Sequence, residues 1–172
     1  MRPWQALALT VGMAFCAAAP ATATASTVLR LDGIGPLHLG MSRTAAVQTG
    51  WLAGRSTGCE LAGPPLPVTY RFTGPKAPRG LVGTAEFHAN RLRVLSFTRG
   101  IRTSTGVTVR RTTTSRMVAR YRQAGFTASA QFVDTFQGTF VTIKRHGQDV
   151  VGGFAEHRVL TMIAIPAVPV CE

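Results

Sequence analysis

The chain has 172 residues, of which 45% are hydrophobic and 15% are charged, a composition that supports one folded domain and excludes a disordered chain. Its 18 glycines and 10 prolines argue against a long helical bundle or a coiled coil. Beyond the first residues, no stretch approaches the roughly 20 apolar residues of a membrane-spanning helix, so we expect no membrane span. Lys and Arg number 19 against 7 Asp and Glu, a net charge of +12 that favours acidic partners.

The N-terminus has the pattern of a signal peptide. Arg2 supplies a positive charge, residues 6–19 form an apolar run, and small residues suited to a signal peptidase follow up to Ala25. We therefore expect a secreted protein that is cleaved near Ala25. The alternatives are an N-terminal membrane anchor and a lipoprotein acylated at Cys16, although the bulky Phe15 is unfavourable before an acylated cysteine.

Export predicts a disulfide bond between Cys59 and Cys171. Cys16 leaves with the signal peptide, and two thiols in an oxidising compartment have a single possible pairing. The bond closes a long loop and stabilises the chain by about 4–5 kcal/mol in the loop-entropy model. The competing interpretation, a zinc pair or a reactive thiol, lacks a CxxC motif and a nearby pair of histidines.

The first predicted unit, residues 26–99, has a short helix followed by strands. Alternating apolar residues at 37–39 lead to Ser42, which can cap the helix, and Gly50 ends it. Apolar alternation between turn residues then predicts three strands. These strands are 68–72, 81–87 and 92–97.

The second predicted unit, residues 100–172, repeats this order about 70 residues later. A threonine cluster at 112–114 offers a cap for a helix at 115–124, and Gly125 stops the helix. Four further strands follow, at 128–132, 139–144, 150–154 and 158–165. The last strand is apolar at nearly every position, which predicts that both of its faces are covered.

The predicted fold class is therefore α+β, with two tandem helix-plus-antiparallel-sheet units. A single unit of this size buries only a thin core, because small domains remove proportionally less surface from water. Two units side by side share that burden, and they can also share one continuous concave sheet.

The opening of the first unit, residues 37–47, has the sequence LHLGMSRTAAV and is followed by Gly50 and Cys59. This segment resembles the unit opening of the β-lactamase-inhibitor-protein family, secreted actinobacterial proteins of two tandem helix-plus-sheet units. It is also similar to other secreted actinobacterial proteins that share the opening G-x-G-P-L-x-L-G-M-[ST]. In the second unit, Arg110-Arg111 replaces Gly40-Met41. The resemblance implies a binding surface built from the concave sheet.

Inhibitors of that family insert an acidic and an aromatic residue from protruding loops into the pocket of an enzyme. The resemblance implies that Asp134 and Phe136 take this role here, as candidate partner contacts. The first-unit loop that we take to correspond, residues 74–79, is basic instead. The predicted Cys59–Cys171 bond also joins the two units, whereas the family tends to close disulfides within a unit.

Catalytic motifs are few. Residues 54–58 match the G-x-S-x-G pattern around Ser56, but the strand-to-helix scaffold of a nucleophile elbow is missing and a loop is expected. Glu86 and His88 fall on one face of a predicted strand and form the best acid–base pair. We expect no metal, no cofactor and no enzymatic activity, with a hydrolase using Ser56 or His88 as a minor alternative.

Arginines cluster between residues 99 and 122, a segment that we call the arginine stretch. Its members are candidate anion-binding residues: Arg99, Arg102, Arg110, Arg111, Arg116, Arg120 and Arg122. We expect a monomeric, secreted binding module that engages an extracellular protein, with no specific nucleic-acid site. The alternative function is adsorption to anionic cell-envelope polymers or lipids through the arginine stretch.

Overall fold

The computed structural model describes residues 27–59 and 64–170; the expected signal peptide and Cys171 lie outside this range. Its helices are α1 (Arg43–Gln48) and α2 (Thr114–Gln123), with a 3-10 turn at Asp134–Phe136. Its strands are β1 (Val28–Leu29), β2 (Gly33–Ile34), β3 (Leu37–His38), β4 (Ala53–Thr57), β5 (Val68–Arg71), β6 (Val82–His88), β7 (Arg91–Arg99), β8 (Arg102–Thr103), β9 (Thr127–Val133), β10 (Gly138–Arg145), β11 (Gln148–Glu156) and β12 (Val159–Ile165).

An eight-stranded antiparallel sheet dominates the molecule, in the order β4-β5-β6-β7-β12-β11-β10-β9. Four consecutive strands follow α1 and four follow α2, and the two sets join where β12 pairs with β7. Phe97 is opposite Ile163 and Ser96 is opposite Ala164 at this junction. The predicted mixture of helices with a large antiparallel sheet is confirmed, and strands predominate.

A second, small sheet has the order β3-β2-β1-β8 and was not expected. Its strands have two residues each, and β1 runs parallel to β8, with Leu29 opposite Thr103. Ile34 and Leu37 in this sheet are fully buried. The segment before α1 therefore packs beside the segment that leads to α2.

Both helices start where their capping residues predict. The Ser42 hydroxyl accepts a hydrogen bond from the Ala45 amide at 3.3 Å, and the Thr113 hydroxyl accepts one from the Arg116 amide at 3.3 Å. These bonds satisfy amides that have no partner within the first helical turn. The two capping residues also make isolated β-bridges to the starts of distant strands. Ser42 pairs with Arg91 of β7, and Thr113 pairs with Val159 of β12.

The core lies between the helices and one face of the large sheet. On α2, Met117 and Tyr121 are fully buried, and the Tyr121 ring contacts Phe126 edge-on at 5.4 Å. In the first set of strands, Phe72 packs on Phe97 with ring centroids 4.9 Å apart. Each such side chain contributes roughly 1.5–3 kcal/mol through burial. This core covers one face of the sheet.

Two predictions about individual strands have clear outcomes. The last strand, β12, is covered on both faces as expected, because Ile163, Ala164 and Ile165 are all buried. The prediction of a loop at 54–58 is wrong, because residues 54–57 belong to the edge strand β4, which pairs with β5. The glycine and polar residues of β4 are exposed, and neither face of the strand is apolar enough to give an alternating pattern. The sequence therefore did not predict this strand.

Candidate functional site

The face of the large sheet opposite the helices can be assigned from the contacts of two glycines in β11. A Cβ on Gly153 would lie 2.9 Å from the Met117 sulfur, so Gly153 faces the helices. Successive residues of a strand point to opposite faces, so Gly152 and Phe154 face away from them. The register carries this assignment across β10 and β12, to Phe140 and Met162. We call this side the outer face.

Three phenylalanines line the outer face near the ends of β10 and β11. The rings of Phe140 and Phe154 lie 4.9 Å apart, and Phe136 meets Phe140 at 5.4 Å in an edge-on arrangement. All three are partly exposed. A Cβ on Gly138 would overlap the Phe154 ring, so this glycine leaves room for the ring. We call Phe136, Phe140 and Phe154 the aromatic row.

Asp134 and Phe136, the candidate contacts implied by the family resemblance, lie in the 3-10 turn between β9 and β10. Gln137 closes the turn with a φ of 47°, and its backbone and side-chain nitrogens both donate to the Asp134 carbonyl, at 3.0 and 2.7 Å. The backbone of the turn is thus held while the Asp134 side chain stays exposed. The turn places an exposed carboxylate beside the first ring of the aromatic row.

The basic loop at 74–79, which we took to correspond to this turn, occupies a different position in its set of strands. Asp134–Phe136 connects the first and second strands of its set, β9 and β10. The matching connection in the other set joins β4 to β5 and spans residues 58–67, of which 60–63 lie outside the described residues. The basic loop at 74–79 instead joins the second and third strands.

A groove with a volume of about 640 Å³ opens beside the turn. Phe132 and Phe136 form its apolar wall, and His157 and Arg158 stand at its other side. Phe132 is 56% exposed, which is unusual for a phenylalanine. The aromatic surface therefore continues from the outer face around the end of the sheet.

The centre of the outer face is covered by the chain itself. A Cβ on Gly152 would lie 2.5 Å from the Val168 backbone nitrogen and 3.0 Å from the Ala167 Cα. Ser96 and Ala164, which lie in the same row across β7 and β12, are also buried. Residues 166–170 thus fold back from β12 over the middle of the sheet. The aromatic row lies to one side of this segment.

The arginine stretch does not form one uniform surface. Arg122 donates two hydrogen bonds to the Ala128 carbonyl, at 3.0 and 2.7 Å, and Arg110 donates to the Thr98 carbonyl at 3.3 Å. Arg120 donates to the Gly106 carbonyl. The exposed members are Arg99, Arg102, Arg110, Arg111, Arg116 and Arg122.

The salt bridges within the described ranges are Arg30–Asp32 and Lys144–Asp149, at 3.2 and 3.7 Å. Neither involves the arginine stretch. The seven positive charges of the stretch therefore have no carboxylate partner within residues 27–59 and 64–170.

Glu86 and His88 are close enough to interact on β6, as their spacing predicts. Burial raises the pKa of the Glu86 carboxyl above its ordinary value, and the positive charge of a protonated His88 lowers it in part. Ser56 is exposed on β4, and Thr69 of β5 lies between it and Glu86 in the register. The intervening strand separates the candidate nucleophile from the acid–base pair.

Sequence reasoning missed Phe132, Phe140 and Phe154. Each falls within a strand that alternation predicts or borders, where phenylalanine normally signals the core. The signal that could have found them is position: Phe154 follows the pair Gly152-Gly153, and strand glycines mark a close approach by another group.

Cys59 lies just after β4 and is partly buried. Its expected partner, Cys171, falls outside the described residues, so the disulfide stays a prediction. Within residues 27–59 and 64–170, no three His, Cys, Asp or Glu side chains are grouped as they would be around a metal ion. In the same ranges, neither helix has the length and apolar character of a membrane span.

Comparison of the chain with protein-family models, with curated proteins and with solved structures found no match.

Proposed function

We propose that this chain is an exported, non-catalytic binding module that engages one extracellular protein, in the manner of an enzyme inhibitor. The observation that carries the proposal is the aromatic row, Phe136–Phe140–Phe154, which lies partly exposed beside the Asp134 carboxylate. Aromatic side chains are enriched at protein interfaces, where a few well-packed residues carry most of the binding energy and a polar rim surrounds them.

The shape of this surface favours a protein partner over a small ligand. The aromatic row lies along neighbouring strands, and the adjacent groove is open rather than enclosed. Small ligands bind in pockets that bury most of their surface. A protruding segment of a protein, in contrast, can cover the row and contact Asp134 at its end.

We further propose that the chain consists of two tandem units, residues 26–99 and 100–172. The sheet order supports this proposal, because each helix precedes four strands and the two sets meet at β7 and β12. The bridges from Ser42 to Arg91 and from Thr113 to Val159 support it as well, since they join equivalent points of the two sets. In this arrangement the aromatic row belongs to the second unit, because its three rings lie in the turn before β10, in β10 and in β11.

The test is quantitative binding to a protein captured from culture medium at high salt. We expect Phe136→Ala to raise the dissociation constant more than tenfold and Asp134→Ala to raise it several-fold. Leu66→Ala is the matched control, because Leu66 is 45% exposed but lies before β5, away from the aromatic row. It should change the dissociation constant less than twofold. Equal effects of all three substitutions, or no saturable capture, would refute the proposed surface.

A second candidate function, adsorption to anionic envelope polymers, is favoured by one observation. The seven arginines of the arginine stretch form no ion pair within the described ranges. This function predicts binding to cell walls that falls steeply between low and high salt, because the attraction between exposed charges is screened. Replacing Phe136 should leave such binding unchanged, so the two functions give opposite patterns.

A further inference from the structure

Two members of the arginine stretch converge on one glycine. Arg102 leaves β8 and Arg120 leaves the middle of α2, and both guanidinium groups end at Gly106. A Cβ on Gly106 would lie 3.2 Å from Nη1 of Arg120 and 3.3 Å from Nη2 of Arg102. Gly106 also has a φ of 83°, a conformation that favours glycine. The absence of a side chain here lets the two cations approach the backbone and each other.

The turn that carries Gly106 is held in place by its own hydrogen bonds. The Thr103 hydroxyl accepts from the Val107 amide at 3.0 Å, and the Gly106 amide donates to the Thr103 carbonyl at 2.9 Å. Thr103 is buried, so the turn is anchored in the small sheet. Arg120 is attached to this turn through its bond to the Gly106 carbonyl. One of the two guanidinium groups is therefore already oriented.

Most of the donors at this point are unused. Arg102 makes no side-chain hydrogen bond to the described part of the chain, and Arg120 uses Nη1 for the Gly106 carbonyl. Neither forms an ion pair there. Two like charges at one point repel each other, and a bound anion relieves that repulsion. Arg116 lies one helical turn before Arg120 and adds to the positive potential of the same side of α2.

We propose that Arg102 and Arg120 form a binding site for a doubly charged phosphate group. Guanidinium groups hold phosphate oxygens through pairs of parallel N–H bonds, and a dianion matches the charge of two arginines. Arg110 and Arg122 are not part of the site, because their guanidinium groups lie at the Thr98 and Ala128 carbonyls rather than at Gly106. The site is separate from the aromatic row. It lies within the arginine stretch and deepens the second candidate function, because it names one pair of arginines and one class of anion.

Titration with inorganic phosphate at pH 8 tests the proposal, with sodium chloride added to hold the ionic strength constant. We expect saturable binding by nuclear magnetic resonance, with the largest shifts at the Gly106 amide and the Arg102 and Arg120 side chains. Arg102→Gln and Arg120→Gln should each raise the dissociation constant at least tenfold. Dimethyl phosphate, which carries one charge, should bind at least tenfold more weakly than inorganic phosphate. Equal binding of the two would refute a site selective for a dianion.

Arg55→Gln is the control, because Arg55 is exposed on β4 and its loss changes the net charge by the same amount. It should change phosphate binding less than twofold. A loss equal to that of Arg102→Gln would show that overall charge, not this site, attracts phosphate and would overturn the proposal. A second readout is independent of ligand: Arg102→Gln should raise the melting temperature in phosphate-free buffer, and Arg55→Gln should not. A lowered melting temperature for Arg102→Gln would contradict the repulsion on which the site rests.

Discussion

The backbone amide of Arg43 donates a 3.0 Å hydrogen bond to the carbonyl of Asn90, at the tip of the hairpin between β6 and β7. Thr114 repeats this bond at the start of α2, where its amide donates to the Arg158 carbonyl, also at 3.0 Å. Both acceptors are turn residues with positive φ, 63° for Asn90 and 72° for Arg158. The start of α1 is therefore attached to the turn between β6 and β7, and the start of α2 is attached to the turn between β11 and β12.

Arg158→Gly should stabilise the protein by about 0.5–1 kcal/mol, because an arginine with positive φ is strained and glycine is not. Asn90→Gly should have little effect, since asparagine tolerates this conformation. Urea unfolding of both variants provides the measurement. A loss of stability in Arg158→Gly would mean that contacts of the arginine side chain outweigh the strain.

Thr113→Ala should lower the free energy of unfolding by about 1 kcal/mol, because the first turn of α2 loses its capping acceptor. Ser42→Ala should have a similar effect at α1. Thr113→Ser keeps a hydroxyl at the cap and serves as the control, with most of the stability retained. Thermal unfolding compares the three variants, and equal losses in Thr113→Ala and Thr113→Ser would argue against capping.

Gly152→Ala should displace residues 166–170 from the outer face, since the added methyl group overlaps the Val168 backbone. We expect a loss of about 1–3 kcal/mol from this overpacking. Hydrogen exchange should show faster exchange at the Ala167 and Val168 amides. Ser129→Ala, in the same row but exposed on β9, should leave that exchange unchanged. Unaltered exchange in Gly152→Ala would contradict the covered centre.

Glu86→Gln should stabilise the protein at neutral pH and not below about pH 4. Burial raises the pKa of Glu86 in the folded state, so its protonated form favours folding. That contribution is present below the unfolded pKa and is lost as the pH rises through the folded pKa. The substituted glutamine carries no charge at any pH and avoids this loss. Parallel plots of unfolding free energy against pH for the two proteins, from pH 3.5 to 7.5, would show that Glu86 is not desolvated.

The purified exported protein should contain one disulfide, between Cys59 and Cys171. Mass spectrometry of the intact chain should show no thiol that reacts with an alkylating reagent before reduction. Cys59→Ser should lower stability by about 4–5 kcal/mol, because the unfolded chain is no longer constrained. Alkylation of both cysteines in the unreduced protein would rule out this bond.

The helix starts and the strands β5–β7 and β9–β12 were predictable because their signals are local. Caps at Ser42 and Thr113, stops at Gly50 and Gly125, and alternating apolar residues each act within a few positions. The pairing of β7 with β12 was expected only as one option, since it joins residues that are far apart in the chain. No pattern within a few consecutive residues indicates such a long-range contact.

The site was less predictable than the fold. The resemblance pointed to Asp134 and Phe136, and the structure places Phe136 against Phe140, whose ring looked like a core residue from its strand. The arginine stretch was visible as composition, but only the turn at Gly106 shows which two of its members meet. Long side chains converge through tertiary geometry, which spacing along the chain does not encode.

The last of the described strands, β12, occupies the middle of the large sheet, while β4 and β9 form its two edges. A nascent chain that emerges N-terminus first therefore carries β7 with an unpaired edge until β12 has been synthesised. Synthesis from the N-terminus leaves this edge open until β12 has emerged, and open strand edges are prone to aggregation. A ribosome that stalls before residue 159 leaves a product whose central strand is available to any neighbouring chain.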